Sequence, residues 1–267
     1  MVEVLGKKRI SPIGIGTWKM GGKDGMDRTH DADDVKAIGY ALDHGVSVID
    51  TAEIYGKGHS EELVAKAIKG RDRESLYIIT KVHPSHLEHD QLMRSAKASL
   101  DRMGCGYIDL YLIHWPPPKM ELVKDGIHAM EELVKQGVVR SLGVSNFNVQ
   151  ETLFAMESAR SEKIVANQIE YSLLMREPES DVIPFCEKNG IVIISYTPLA
   201  DGRVATFGPA QEVAKRLGRT PVQVAVNYLM RNSLPIPKAS RIDHMKEILG
   251  SVGWALGPSD IKKLQGA

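Results

Sequence analysis

The chain has 267 residues, the size of one (β/α)₈ barrel or of two small domains. Its 34 Lys+Arg are matched by 34 Asp+Glu, so it lacks the cationic field that a nucleic-acid binder or a membrane-surface protein needs. Cys105 and Cys186 are the only cysteines and form no CxxC pair, which excludes a disulfide scaffold and fits a reducing compartment. The opening Met1-Val2-Glu3-Val4-Leu5-Gly6-Lys7-Lys8 has no apolar h-region, and no apolar run approaches the ~18 residues of a bilayer span. A soluble, cytoplasmic protein is expected, with neither nucleic acid nor membrane as partner.

No Pro/Gly/Ser-rich linker or charge block divides the chain, so residues 1–267 read as a single domain. Residues 2–5 and 8–10, joined at Gly6-Lys7, read as a β-hairpin ahead of the first barrel strand, placed to cap the barrel bottom. Short β-branched runs bounded by turn residues follow at 13–16, 46–50, 76–81, 108–114, 139–144, 165–169, 191–196 and 234–236. Between them lie stretches of helical period. Val35, Ile38 and Leu42 form the first apolar stripe, and Leu63, Val64, Ala67 and Ile68 the second. Leu92, Ala96, Leu100 and Met103 form a third, and Ile127, Met130 and Val134 a fourth. Gly45, Gly70, Gly137 and Gly190 stand where helices stop.

Eight strands alternating with helices give an α/β chain of parallel βαβ units, and near-continuous apolar strands are those covered on both faces. A (β/α)₈ TIM barrel is therefore expected. The competing open, doubly wound sheet would carry a phosphate loop after its first strand. Gly14-Ile15-Gly16-Thr17-Trp18-Lys19 lacks the third glycine and the immediate helix of that loop.

In a barrel, chemistry sits at the carboxyl ends of the strands. Asp50 ends the second strand, Lys81 the third and His114 the fourth, while Tyr55 follows closely in Asp50-Thr51-Ala52-Glu53-Ile54-Tyr55-Gly56. Each alone has a plainer explanation as a turn, solvated or hydrogen-bonded residue. Together they form a proton-handling set. A phenol with an ordinary pKa near ~10 is a poor acid; a nearby ammonium stabilises its phenolate, and a carboxylate keeps that ammonium charged. Asp50 and Lys81 would thus tune Tyr55 as a general acid, with His114 orienting a carbonyl oxygen. A reductant is missing from such a set, so a hydride-carrying cofactor is required.

The sequence resembles the aldo-keto reductase family along essentially its full length. The stretch from Asp50 to Gly56 with Ser60-Glu61-Glu62 is similar to one family signature, and Leu112-Ile113-His114-Trp115-Pro116 and Gly143-Val144-Ser145-Asn146-Phe147 to two more. Asn167-Gln168-Ile169-Glu170-Tyr171, Ser195-Tyr196-Thr197-Pro198-Leu199-Ala200 and Ile236-Pro237-Lys238-Ala239-Ser240 complete the series in order. The resemblance implies a barrel that binds NADPH across its mouth, with Asp50, Tyr55, Lys81 and His114 as the catalytic tetrad and Tyr55 as proton donor. It implies that Ser145, Asn146 and Gln168 bond the nicotinamide carboxamide and that Tyr196 stacks on the ring. Leu199, Ala200, Lys238, Ser240 and Arg241 would lie along the phosphates, and Thr17 and His244 join the cofactor set. Trp18 and Trp115 would wall an apolar substrate pocket or, equally, pack the rim.

The pattern departs from the family at the adenosine phosphate. Ala239 replaces a hydroxyl residue, His244 stands where an arginine is usual, and Ile248 where an asparagine is usual. Histidine makes no bidentate fork to phosphate. Lys238 and Arg241 keep the site cationic, so NADPH is expected, with NADH use open. Ala65 stands where the signature often has glycine, a change that concerns helix packing alone. The stretch from 20 to 30 is long and polar, an inert insertion or, less favoured, a lid. Short loops after the fourth and seventh strands, and few residues after Leu264, lead to an expected open pocket for small aldehydes and, less readily, ketones. A monomer is expected.

Other readings use fewer of these residues. Lys81 alone would serve a Schiff-base aldolase, which has no use for Asn146, Gln168 and Tyr196. A nucleotide-sensing subunit without turnover would keep the same cofactor site. His83, His86 and His89 have a ligand-like spacing, but no partner ligand stands at the first strand's end, so no metal is expected.

Overall fold

A computed structural model describes residues 4–6, 8–23 and 25–266. Eight parallel strands follow one another around a sheet in chain order: β3 (Gly14–Gly16), β4 (Val48–Asp50), β5 (Tyr77–Val82), β6 (Leu110–Ile113), β7 (Leu142–Ser145), β8 (Ile164–Glu170), β9 (Val192–Tyr196) and β10 (Leu234–Pro235). The ring closes where the Gly16 amide donates to the Pro237 carbonyl at 3.1 Å. The architecture is the expected TIM barrel. Ahead of it, β1 (Val4–Leu5) and β2 (Lys8–Arg9) pair antiparallel as the expected hairpin; residues 2, 3 and 7 of that hairpin lie outside the described residues.

The hairpin plugs the barrel in a specific way. Leu5 is fully buried in one apolar cluster with Val48, Tyr77, Ile79, Leu110, Leu112, Ala166, Ile194, Leu234 and Ile236. These are the inward side chains of the strands, taken alternately along each. Their neighbours Ile49, Ile78, Tyr111 and Ile113 belong instead to the outer cluster beneath the helices. The barrel is thus filled from below, and only its upper end is free for chemistry.

Around the sheet run α1 (Asp31–Asp43), α2 (His59–Ile68), α3 (His89–Met103), α4 (Glu121–Lys135), α5 (Val149–Ser158), α6 (Val182–Lys188), α7 (Gly208–Leu217), α8 (Pro221–Leu229), α9 (Ile242–Leu249) and α10 (Pro258–Gln265). Gly45, Gly70, Gly137 and Gly190, read as helix stops, all have positive φ. In α1 the buried face is Asp34, Ala37, Ile38 and Ala41 rather than the Val35–Ile38–Leu42 stripe. Small alanines let this helix lie close to the sheet, and Val35 and Leu42 pack at its flanks, half-buried. The strand starts at 46, 108 and 139 are later than expected, at Val48, Leu110 and Leu142; Ile108 and Val139 keep only an isolated bridge.

Glycine is required where the ring closes. A Cβ on Gly16 would stand 2.7 Å from the Ile236 carbonyl oxygen, and one on Gly14 would stand 2.9 Å from Ile236 Cγ2. Gly16→Ala should therefore lower thermal stability by the ~1–3 kcal/mol typical of overpacking. Gly208→Ala, where the added methyl meets nothing within 4 Å, should change the melting temperature little. Equal effects of the two substitutions would show that strand closure does not depend on the missing side chain.

Candidate active site

The period-two alternation that fills the barrel also builds its mouth. Val48 points inward and so does Asp50; Tyr77 and Ile79 are followed inward by Lys81; Leu110 and Leu112 are followed by His114, one residue past β6. Strand β5 runs on to Val82, so Lys81 is an inward strand residue rather than its end. Ser145, Gln168 and Tyr196 come up from β7, β8 and β9. Asp50, His114, Ser145, Gln168 and Tyr196 line a cleft of about 630 Å³, together with Tyr55, Trp18, Trp115 and Asn146.

Lys81 is completely buried, yet each of its three ammonium protons has an acceptor. Nζ lies 2.9 Å from Asp50 Oδ2, 2.9 Å from the Thr51 carbonyl oxygen and 3.2 Å from the Tyr55 hydroxyl. Burial alone would discharge the amine, but Asp50, then Tyr55, outweigh it and raise its pKa above the ordinary value. Asp50 Oδ1 accepts from Gln168 Nε2 at 2.7 Å, a bond that crosses the barrel. A lysine so held and charged is no free amine for a Schiff base.

Tyr55 differs from the sequence expectation in one respect. Burial pushes its phenol above the ordinary value, and the Lys81 charge opposes that push without overcoming it. The phenol is therefore a held proton rather than a ready phenolate. Because Lys81 donates to its oxygen, the phenol's own proton has no acceptor among the described residues. The Tyr55 ring meets the His114 ring edge-on, centroids 5.7 Å apart.

His114 is pushed down to about 2 by burial, then by the Lys81 charge and by His83. It is a neutral imidazole, and its Nδ1 is buried with no hydrogen-bond partner among the described residues. Asn146, at φ +63°, donates to the His114 carbonyl at 3.0 Å and accepts from the Tyr196 hydroxyl at 2.8 Å. Its amide N–H, like the Ser145 hydroxyl, donates to the Gln168 carbonyl oxygen.

Of the other residues expected at a cofactor, Leu199, Lys238 and His244 line the cleft. Burial lowers Lys238, with Asp34 opposing and Lys19 assisting that shift. Four others are placed differently. Thr17 is buried, its hydroxyl donating to the Asp50 carbonyl at 3.0 Å and accepting from Ser60 at 2.7 Å, so it supports the wall from behind. Ala200 is buried. The Ser240 hydroxyl is turned away to the buried Asp34 carboxylate. Arg241 is exposed at the N-cap of α9. Ile248 is buried in the core. His83, His86 and His89 are also spoken for: His83 packs on Trp115, His86 bonds Glu53, and His89 bonds Asp90 and Glu132.

Sequence reasoning missed the far rim. Residues 197–207, between β9 and α7, form a longer wall than the expected short loop, and Asp201 Oδ1 reaches Lys19 Nζ at 3.5 Å. Ile54, Thr197 and Asp201 line the cleft. Among the described residues, the six non-glycine residues with positive φ are Lys19, Lys57, Asn146, Thr197, Ala200 and Asp201, all at this end of the barrel. Left-handed backbone at threonine and alanine is unfavourable, and such strain concentrates at functional sites. Asp201-Gly202 was the one readable turn signal in that stretch. On the other side of the mouth, the stretch from 20 to 30 closes on itself through Asp27 N to the Gly21 carbonyl at 2.9 Å.

The His114 shift has a measurable consequence. Unfolded histidine takes up a proton below about pH 6.5, whereas folded His114 does not until about pH 2. Its stabilising contribution is present above pH 6.5 and is lost as pH falls. Between pH 7 and 5 this amounts to about 2 kcal/mol. Denaturant unfolding of wild type and His114→Asn at both pH values should show this loss in the former only.

The geometry agrees with known proteins. A model of the family described as "Aldo/keto reductase family" matches residues 12–267. Methylglyoxal reductase YeaE of Escherichia coli K12 is 28% identical over all of this chain and 94% of its own length. The thermostable aldo-keto reductase Tm1743, solved with the inhibitor epalrestat, superposes with a TM-score of 0.94 at 39% identity, covering 100% of this chain and 99% of that one. An aldo-keto reductase from Klebsiella pneumoniae in complex with NADPH gives 0.91 at 30% identity, covering 100% and 95%. With a family match across nearly the whole chain and a barrel whose charged mouth fits it, the protein is an oxidoreductase belonging to the aldo/keto reductase family.

Proposed function

We propose that the enzyme reduces small aldehydes, and ketones less readily, to alcohols with NADPH, and that Tyr55 gives the proton. The observation that carries this reading is the buried ammonium of Lys81, 2.9 Å from Asp50 and 3.2 Å from a phenol whose proton is unclaimed. A carbonyl oxygen held between Tyr55 and the neutral His114 ring would meet two donors, since an uncharged imidazole still carries one N–H. As negative charge develops on that oxygen, Tyr55 transfers its proton to it. The phenolate left behind is stabilised by Lys81 at once, without solvent reorganisation. Asp50 holds Lys81 charged throughout.

NADPH would supply the hydride when bound. The residues fit such a cofactor: Ser145, Asn146, Gln168 and Tyr196 offer amide and aromatic partners beside Tyr55, and Lys238 stands on the cleft wall with a side chain suited to a phosphate, with His244 also on that wall. Ala239 and His244 weaken discrimination by the adenosine phosphate, so NADH is a second, poorer reductant. Trp18, Ile54 and Trp115 line the cleft, and these apolar walls suit a small substrate of the kind named for the methylglyoxal reductase relative. A monomer has all of these groups in one chain.

Tyr55→Phe should reduce kcat for aldehyde reduction by at least about 10²-fold, the lower range of general acid catalysis, with NADPH binding by fluorescence nearly unchanged. Retained turnover would remove Tyr55 as donor. NADPH that binds wild type without any oxidation across aliphatic, aromatic and sugar aldehydes would favour a sensor over an enzyme. His244→Arg should tighten NADPH by about tenfold, the worth of one added charge-assisted bond. An equal gain for NADH would place the phosphate elsewhere.

A further inference from the structure

Glu61 lies in the first turn of α2 and is fully buried, yet no step proposed above uses it. Its two oxygens serve two different elements. Oε1 accepts the Thr80 hydroxyl at 2.6 Å, and Oε2 accepts Arg102 Nε at 2.6 Å. Thr80 immediately precedes Lys81 on β5 and faces outward, toward α2. Arg102, in the last turn of α3, also donates to Ser99 at 3.1 Å. Its stem lies against Gly58, where a Cβ would come 2.8 Å from both Cδ and Nε.

Gly58 closes the turn that begins at Tyr55. Gly56, Lys57 and Gly58 have φ of +54°, +56° and +92°, three left-handed residues in succession. A chain does not hold that shape unaided, least of all at a lysine, so the surroundings must impose it. A fully buried carboxylate is likewise costly unless paired and hydrogen-bonded. Packing α2 on β5 needs no charge. The pair, its carboxylate buried and its guanidinium partly exposed, therefore joins the strand that carries Lys81 to the turn that carries Tyr55.

We propose that Glu61, acting through Thr80 and Arg102, is a positioning residue that sets the approach of Lys81 to the Tyr55 hydroxyl. This rests on Tyr55 as the proton donor. The groups facing that hydroxyl are Lys81 from β5, Asp50 from β4, the neutral His114 ring beside β6 and Tyr196 from β9. Of these, Lys81 alone favours the phenolate. Loosening the approach of Lys81 makes the phenol ionise at a higher pH. Reduction needs the protonated phenol, so the alkaline fall of kcat moves to higher pH as well.

The test uses the full-length enzyme with NADPH and a small aldehyde. In Glu61→Gln, kcat should fall about tenfold or more, since an ångström of misplacement costs up to ~10²-fold. The NADPH Kd should hold, and the alkaline limb of kcat should shift upward. A lower kcat with the limb unmoved is what a smaller folded fraction produces, and it overturns the proposal. Thr80→Val keeps the Glu61–Arg102 pair and cuts only the link to β5. It should shift the limb in the same direction and carries the test if Glu61→Gln does not fold; an unmoved limb there is equally fatal. Tyr55→Phe, measured alongside, separates the two failures. Surviving reduction removes the donor itself, whereas lost reduction with unmoved limbs removes only the role of Glu61.

Discussion

A lysine ammonium placed entirely out of water is the constraint on which this molecule is built. It is tolerable only because Asp50, the Thr51 carbonyl and the Tyr55 oxygen receive its three protons. Each acceptor is then committed to a location. Asp50 must end β4 on the inward side, the chain must turn at Thr51 so that its carbonyl faces the barrel axis, and the loop must bring Tyr55 back over the mouth. Gln168, from the opposite wall, completes the Asp50 carboxylate. One buried charge on β5 thereby fixes groups from two other stretches of the chain, 50–55 and Gln168.

The same charge explains why two basic side chains in one site behave oppositely. Lys81 and His114 are both buried, and burial disfavours the cation of each. Lys81 has a carboxylate beside it and stays charged. Among the described residues His114 has none, its Nδ1 has no partner, and the neighbouring ammonium repels any proton it takes up. The outcome is a division of roles by environment: a fixed positive charge behind the phenol and a neutral donor in front of it.

What was legible in the sequence follows from this alternation. Asp50, Lys81 and His114 each interrupt an apolar run at a position whose predecessor by two is an inward Val48, Ile79 or Leu112. A polar residue there breaks the packing pattern, and that break is readable. Tyr55 was readable only through its family signature, because three left-handed residues follow it and no periodicity describes such a turn. The far rim was not readable: Lys19 and Asp201 meet across 182 positions of sequence, and Thr197 and Ala200 adopt backbone that their side chains disfavour. The hydroxyls of Thr17 and Ser240 bond away from the cleft for a common reason. A hydroxyl takes whichever acceptor the fold brings near, here the Asp50 carbonyl and the Asp34 carboxylate. Sequence says that such a group can bond, and only the fold says to what.

The height of Lys81 in the barrel is decided at the opposite end of its strand. Side chains alternate with a period of two, so a one-residue slip of β5 would turn Lys81 outward beneath α2 and bring Thr80 into the cleft. Apolar packing resists that slip weakly here, since Ile78 and Ile79 are the same residue on opposite faces. The buried Asp109 supplies the missing specificity. Its carboxylate accepts the Ile78 amide at 2.8 Å, and Lys8 of the hairpin and Arg73 before β5 converge on it. Any residue in that place would offer an amide; the contact tied to sequence is that of Arg73, which reaches the same carboxylate from just ahead of the strand. The polar cluster at the barrel bottom, remote from the cleft, therefore helps fix which face of β5 the Lys81 ammonium occupies, and the plug that closes the barrel below also supports the site above.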